Sequence, residues 1–186
     1  MRLLPTASQT VGPYLHLGLT WNTTTCIAGS AIAGEHITIQ GQIIDGNCEP
    51  VPDALLEVWQ ANSYGKYAHH EDVQDKPLEP GFRGFGRIPT NDRGEYRFST
   101  IKPGVVPGPD GPQAPHLLIS IFMRGLYKQL VTRMYFPDDD RNCMDKVLES
   151  VPIDRRTTLI AKKLSNSKLL WNVVLQGDSE TVFFDC

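Results

Sequence analysis

The sequence predicts an all-β sandwich with long loops and an extended amino-terminal arm, and three observations carry that reading. Short apolar segments, several alternating with polar residues, recur along the chain with turn formers between them. Proline (14) and glycine (16) are plentiful, as many turns between short strands require. One stretch alone, residues 138–149, has helical spacing. With 186 residues, 40% of them hydrophobic and 21% charged, the chain is long enough for one well-packed domain. We divide it into an arm, residues 1–34, and a β-sandwich domain, residues 35–186.

The elements follow in order. Residues 1–34 show little periodicity and many turn formers, and within them Ser8–Tyr14 has a recognisable pattern. From His36, Ile37, Ile39 and Ile43 fall on one face and Thr38, Gln40 and Gln42 on the other, the period of a half-buried strand. Asp45-Gly46-Asn47 supplies a turn, Leu56 and Val58 a second strand, and Asn62–Gly65 a second turn. Residues 70–92 read as a long loop punctuated by Pro77, Pro80, Gly81, Gly84 and Gly86. Strands are expected at 95–100, 116–123, 129–136, 157–164, 170–176 and 180–185. In 138–149, Asp138 or Asp139 can cap a helix on which Cys143/Val147 and Met144/Leu148 stack at i, i+4. The run Asp138-Asp139-Asp140 reads as a solvated helix start rather than a metal cage.

Bulk properties exclude some partners. A net charge of −3 gives no reason to expect nucleic acid or an acidic membrane surface. No apolar run approaches a membrane span, and Met1–Pro5 lacks the apolar core of a secretory signal. Cys26, Cys48, Cys143 and Cys186 are scattered with no C-x-x-C pair, so they read as reduced thiols in a cytoplasmic protein.

A few side chains stand out as candidates for chemistry. Tyr67 follows a glycine turn and precedes His69-His70, but alone it reads as a half-buried packing residue with its hydroxyl hydrogen-bonded. The adjacent histidines point to opposite faces if that segment is extended, which suits no shared ion. His116 opens an apolar strand behind Ala114-Pro115, either as a ligand or as a sheet-end histidine bonded to a carbonyl. Gly12-Pro13 fixes a bend where another group can approach the backbone. Arg124, in Phe122-Met123-Arg124-Gly125, ends an apolar strand with a permanent cation.

The segments Glu57–Tyr67, Ile101–Pro107 and Gln113–Ile121 together resemble the intradiol ring-cleaving dioxygenases, which hold ferric iron with two tyrosinates and a His-x-His pair. The resemblance sets the first tyrosine at Tyr67 and the first histidine at His116, but the second tyrosine at Val106 and the second histidine at Leu118. Gln113 falls where catalytic members carry an arginine. Ferric iron wants several ligands, preferably with anionic oxygen among them, and Val106 and Leu118 have no lone pair to give. The resemblance therefore implies no catalytic and no metal-binding residue in this chain.

Within the family, Ser8–Tyr14, Phe122–Gly125, Phe85-Gly86-Arg87 and Gln176–Asp185 resemble the α-type chains of its protocatechuate-cleaving heteromers, and the likeness runs from Leu3 to Asp185. That implies a mixed β-sandwich paired with a β subunit of the same fold, which binds Fe(III), in a larger α–β assembly. Protocatechuate and O2 would be the substrates and 3-carboxy-cis,cis-muconate the product, in the β-ketoadipate route of aromatic catabolism. Thr10, Gly12, Pro13, Tyr14 and Arg124 would wall the substrate pocket, Arg124 facing an anionic aromatic acid. Two other readings stay open. One is a self-sufficient dioxygenase with unusual ligands. The other is a non-enzymatic binding module, since Ile39–Trp59, with Gly41, Asp45, Pro52 and Ala54, resembles the strand–turn–strand of transthyretin-like domains. The module reading leaves Thr10–Tyr14 and Arg124 without a purpose.

Overall fold

In chain order the strands are β1 (His36–Ile44), β2 (Leu55–Trp59), β3 (Phe85–Pro89), β4 (Glu95–Ile101), β5 (Val106–Gly108), β6 (Gly111–Gln113), β7 (His116–Phe122), β8 (Leu130–Tyr135), β9 (Lys162–Ser165), β10 (Lys168–Leu170) and β11 (Val173–Val174). This computed structural model describes residues 6–18 and 20–185, without the side chains of His16 and Thr20. Met1–Pro5 and Cys186, which the sequence reading includes in the arm and the domain, lie outside the described residues.

One sheet is built around β1. It runs antiparallel to β4, with Ile39 opposite Phe98, and parallel to β10 and then β11 on its other edge. Strand β9 closes that sheet against β10. The other sheet is antiparallel, in the order β3-β2-β7-β8, and β5 with β6 forms a separate hairpin. Mixed pairing in one sheet and antiparallel pairing in the other make this a mixed β-sandwich.

Alternation decides what lies between the sheets. Ile37, Ile39 and Ile43 of β1 point inward, as their spacing predicts, to meet Leu56, Val58, Leu117, Ile119, Ile121 and Met134 from the second sheet. Burying each such side chain stabilises the fold by about 1.5–3 kcal/mol. Gly41 marks the tightest approach within the first sheet: a Cβ there would lie 1.8 Å from the Trp171 carbonyl oxygen, which also accepts a 2.5 Å bond from the Tyr96 hydroxyl.

Several expected elements differ. The arm is not wholly extended: α1 (Tyr14–Gly18) and a 3-10 turn (Thr20–Asn22) follow Gly12-Pro13. Proline fits the first turn of a helix, where its missing N–H goes unneeded, and the Leu17 N–H donates to the Pro13 carbonyl at 3.1 Å. The 70–92 loop contains β3, an edge strand disguised by Gly86 and Pro89. A side chain at 86 would strike Ile27, so the glycine is there for packing, not for a turn.

The helix expected at 138–149 is two pieces, a 3-10 turn Asp140–Met144 capped by Asp139 and α2 (Lys146–Ser150) capped by Asp145. Each cap restarts the helix, which breaks the expected i, i+4 pairs. The strand expected at 157–164 begins as a 3-10 turn, Arg156–Leu159. The one expected at 170–176 is split into β10 and β11. Residues 180–185 contribute a single bridge, Phe184 to Val131.

Candidate functional site

The second sheet positions the site. With Leu117, Ile119 and Met134 inward, the same strands turn His116, Leu118, Arg133 and Tyr135 to the opposite face. The register sets Leu118 between Trp59 of β2 and Arg133 of β8, and His116 opposite Tyr135. Trp59 stacks on Tyr67, with ring centroids 5.8 Å apart and planes 4° from parallel.

The Tyr67 loop is folded by Asn62, whose side-chain oxygen accepts from Tyr64 N at 3.1 Å and Lys66 N at 2.9 Å. Gly65, at φ +78°, lets this loop press on the Val105 carbonyl, where any Cβ would lie at 1.8 Å. Next to Val105, Val106 pairs with Gln113 across the β5–β6 hairpin. The four family ligand positions, Tyr67, Val106, His116 and Leu118, are thus linked through shared neighbours. The His69-His70 segment turns rather than extends, and its two rings lie side by side with centroids 4.3 Å apart.

His116 is buried, and its Nδ1 lies 2.8 Å from the Ala114 carbonyl. A carbonyl only accepts, so Nδ1 carries the proton and Nε2 keeps its lone pair. Burial first, then the Arg133 charge, pushes its pKa down to about 4, so the ring is neutral at pH 7. Burial raises the pKa of the Tyr67 phenol, with Arg133 opposing. Tyr135 is pushed up to about 12, chiefly by burial.

Arg133 Nη1 donates to Gln113 Oε1 at 3.0 Å and to the Tyr135 hydroxyl at 3.4 Å, and it forms no salt bridge among the described residues. Asp145 lies beneath, accepting from Ala114 N (2.8 Å), Val147 N (2.9 Å), Leu148 N (2.9 Å) and the Tyr135 hydroxyl (3.3 Å).

This donor set does not fit ferric iron. It offers one imidazole lone pair, one phenol that holds its proton more tightly than usual, two aliphatic side chains and a guanidinium. A cavity of about 550 Å³ opens beside the frame, lined by Trp59, Tyr67, His69, Asp72, Gln74 and Pro107.

The arm makes a second corner. Gly125 N–H donates to Thr10 Oγ1 at 2.9 Å, and Val11, Gly12 and Pro13 with Asp53 and Arg124 line a cavity of about 170 Å³. Thr10, Gly12, Pro13 and Arg124 therefore come together, whereas Tyr14 is 79% exposed and lies outside that lining. Arg124 is not a lone cation: its Nε pairs with Asp53. Its Nη groups have no partner among the described residues.

Sequence reasoning missed Asp53 and Arg133. Asp53 offers only an acidic residue in a Pro52–Ala54 turn as a signal. Arg133 offers only a charge inside an apolar strand.

A family model described as Dioxygenase matches residues 12–177. The protocatechuate 3,4-dioxygenase alpha chain of Pseudomonas putida is 42% identical over 206 residues, covering 100% of this chain and 98% of that one. The beta chain of the Burkholderia cepacia enzyme is 42% identical over 132 residues, 69% of this chain and 56% of its own length. Among solved structures, the dioxygenase domain of a carbohydrate-binding fusion protein from Streptomyces sp. SirexAA-E superposes with a TM-score of 0.63 at 24% identity, covering 96% of this chain and 99% of that one. Catechol 1,2-dioxygenase from Acinetobacter sp. ADP1 gives a TM-score of 0.62 at 19% identity over 83% of this chain and 58% of its own. At those identities the two structures speak to the fold alone.

Proposed function

This chain belongs to the intradiol dioxygenase family, and from that premise we propose that it is the α chain of a protocatechuate 3,4-dioxygenase. The observation that carries the proposal is a family scaffold kept end to end while two of its four donor positions, Val106 and Leu118, are aliphatic. In this reading a β chain of the same fold holds ferric iron, which supplies the redox chemistry of ring opening. Protocatechuate and O2 combine, and the ring opens between its hydroxyl-bearing carbons to give 3-carboxy-cis,cis-muconate.

The α chain contributes walls and charge. Thr10, Gly12, Pro13 and Tyr14 form one side of the shared pocket, and they help exclude water and orient the ring. Asp53 takes the Nε of Arg124 and leaves the Nη edge to meet the substrate carboxylate. Exposed Tyr14, Leu17 and Trp21 are available to the partner. The α–β pairs assemble into a larger oligomer in the cytoplasm, a setting supported by the free thiols of Cys26, Cys48 and Cys143. Among the described residues no helix is long and apolar enough to cross a membrane.

Co-expression with a β-type chain tests the reading. Iron, visible colour and ring cleavage are expected in the co-purified complex and absent from this chain alone. A red, iron-loaded oligomer of this chain alone, active on protocatechuate, overturns it.

A further inference from the structure

Arg133 stands among all four ligand positions of the frame. It is the cross-strand neighbour of Leu118 and shares a sheet face with it. Its Nη1 is bonded to Gln113, the hairpin partner of Val106, and to Tyr135, the cross-strand partner of His116. Its charge is felt at both surviving donors, His116 and Tyr67. Hydrogen bonds and strand register thus tie one guanidinium to the frame, with no carboxylate directly on it among the described residues.

We propose that Arg133 is a built-in cation of this frame that bars a metal by charge, independently of the two missing donors. Catalytic members carry their arginine at the Gln113 position, on the hairpin, whereas Arg133 comes from β8, directly across from the Leu118 ligand position. A half-buried site screens charge poorly there, so a polyvalent cation and the guanidinium repel strongly. An arginine cannot relieve that repulsion by giving up a proton, as a lysine or histidine can. The simpler alternative is that metal is excluded only because positions 106 and 118 lack lone pairs. The two accounts differ in what happens when the lone pairs are returned.

The test restores both donors with Val106→Tyr and Leu118→His in the full chain, purified with a β-type partner. Iron is counted above the partner's own complement, and the tyrosinate-to-ferric band is read in the visible. With Arg133 kept, less than about a tenth of an extra iron per α chain is expected. Adding Arg133→Gln or Arg133→Met should raise that at least fivefold and bring up the band. Arg133→Lys should load less than either neutral variant at pH 7.

Full loading with Arg133 in place overturns the proposal, as does equal loading, high or nil, across the Gln, Met and Lys variants. If Val106→Tyr disrupts the hairpin, Leu118→His alone gives a His-x-His pair suited to zinc. Zinc titration should then show at least tenfold tighter binding with Arg133→Gln than without it. Equal affinities overturn the proposal by that route too.

Discussion

The frame on the second sheet and the corner between the arm and Arg124 are built in opposite ways. In the frame, polar groups turn inward on one another: Gln113, Arg133, Tyr135 and Asp145 form a continuous hydrogen-bonded chain that ends on backbone N–H groups. In the corner, one bond ties Thr10 to Gly125, one ion pair ties Arg124 to Asp53, and the Arg124 side chain remains 62% exposed. The frame is closed on itself and stabilises the fold, whereas the corner is open and offers a charge. A family scaffold that has lost donor atoms can still contribute to a reaction through such an outward edge.

The comparison breaks most sharply at Asp145. This fully buried carboxylate accepts from three backbone N–H groups and a phenol, so Asp145→Ala leaves several buried donors unpaired. A loss of about 3–5 kcal/mol in urea unfolding is expected. Ring cleavage per folded α–β pair should be unchanged. A variant of full stability would mean that the frame is not the structural half of the molecule.

His116 sharpens the same contrast through pH. Its folded pKa, about 4, lies below the ordinary 6.5, so between these values the unfolded chain binds the proton and the folded chain does not. Stability from this group is present above pH 6.5, falls as pH drops toward 4, and levels off below. The total is about 3 kcal/mol. His116→Gln should remove that part of the pH dependence, read as the difference between wild-type and variant urea midpoints at pH 7 and pH 4.5. Parallel curves for the two proteins would show that the buried ring is not the group titrating.

The smallest effect belongs to the corner. Arg124→Ala should leave stability within about 0.5 kcal/mol of wild type, as exposed ion pairs do. It should lower kcat/KM for protocatechuate about tenfold, mostly through KM, because the carboxylate charge hardly changes in the transition state. With catechol, which has no carboxylate, the loss should fall below about twofold. Equal losses on both substrates would move Arg124 into the structural half with Asp145.

The legible parts of the fold were those where side chains alternate on a half-buried surface. Ile37, Ile39 and Ile43 announced β1, and the apolar run from His116 announced β7, because burial on one face leaves a period of two. Strand β3 was hidden because Gly86 was chosen by the bulk of Ile27, a neighbour 59 positions away in number and invisible to local pattern. Asp139 was readable as a helix cap, but Asp145 was not, since nothing in the local pattern shows that a second helix starts inside the expected one. In the site, Tyr67, His116 and the losses at Val106 and Leu118 could be read from motif spacing. Arg133 could not, because its meaning comes from the strand paired with it rather than from its own neighbours.

The parallel pairing of β1 also sets a timetable for folding. One bond in this contact, from Gln42 N–H to the Asn172 side chain, spans 130 residues. At a synthesis rate of about 10 residues per second, β1 waits on the order of ten seconds for that edge to be covered. Until then its backbone groups on that side are open to any passing strand. The domain therefore closes late, and the nascent chain depends on β4, which follows β1 by about fifty residues, to shield its other edge in the meantime.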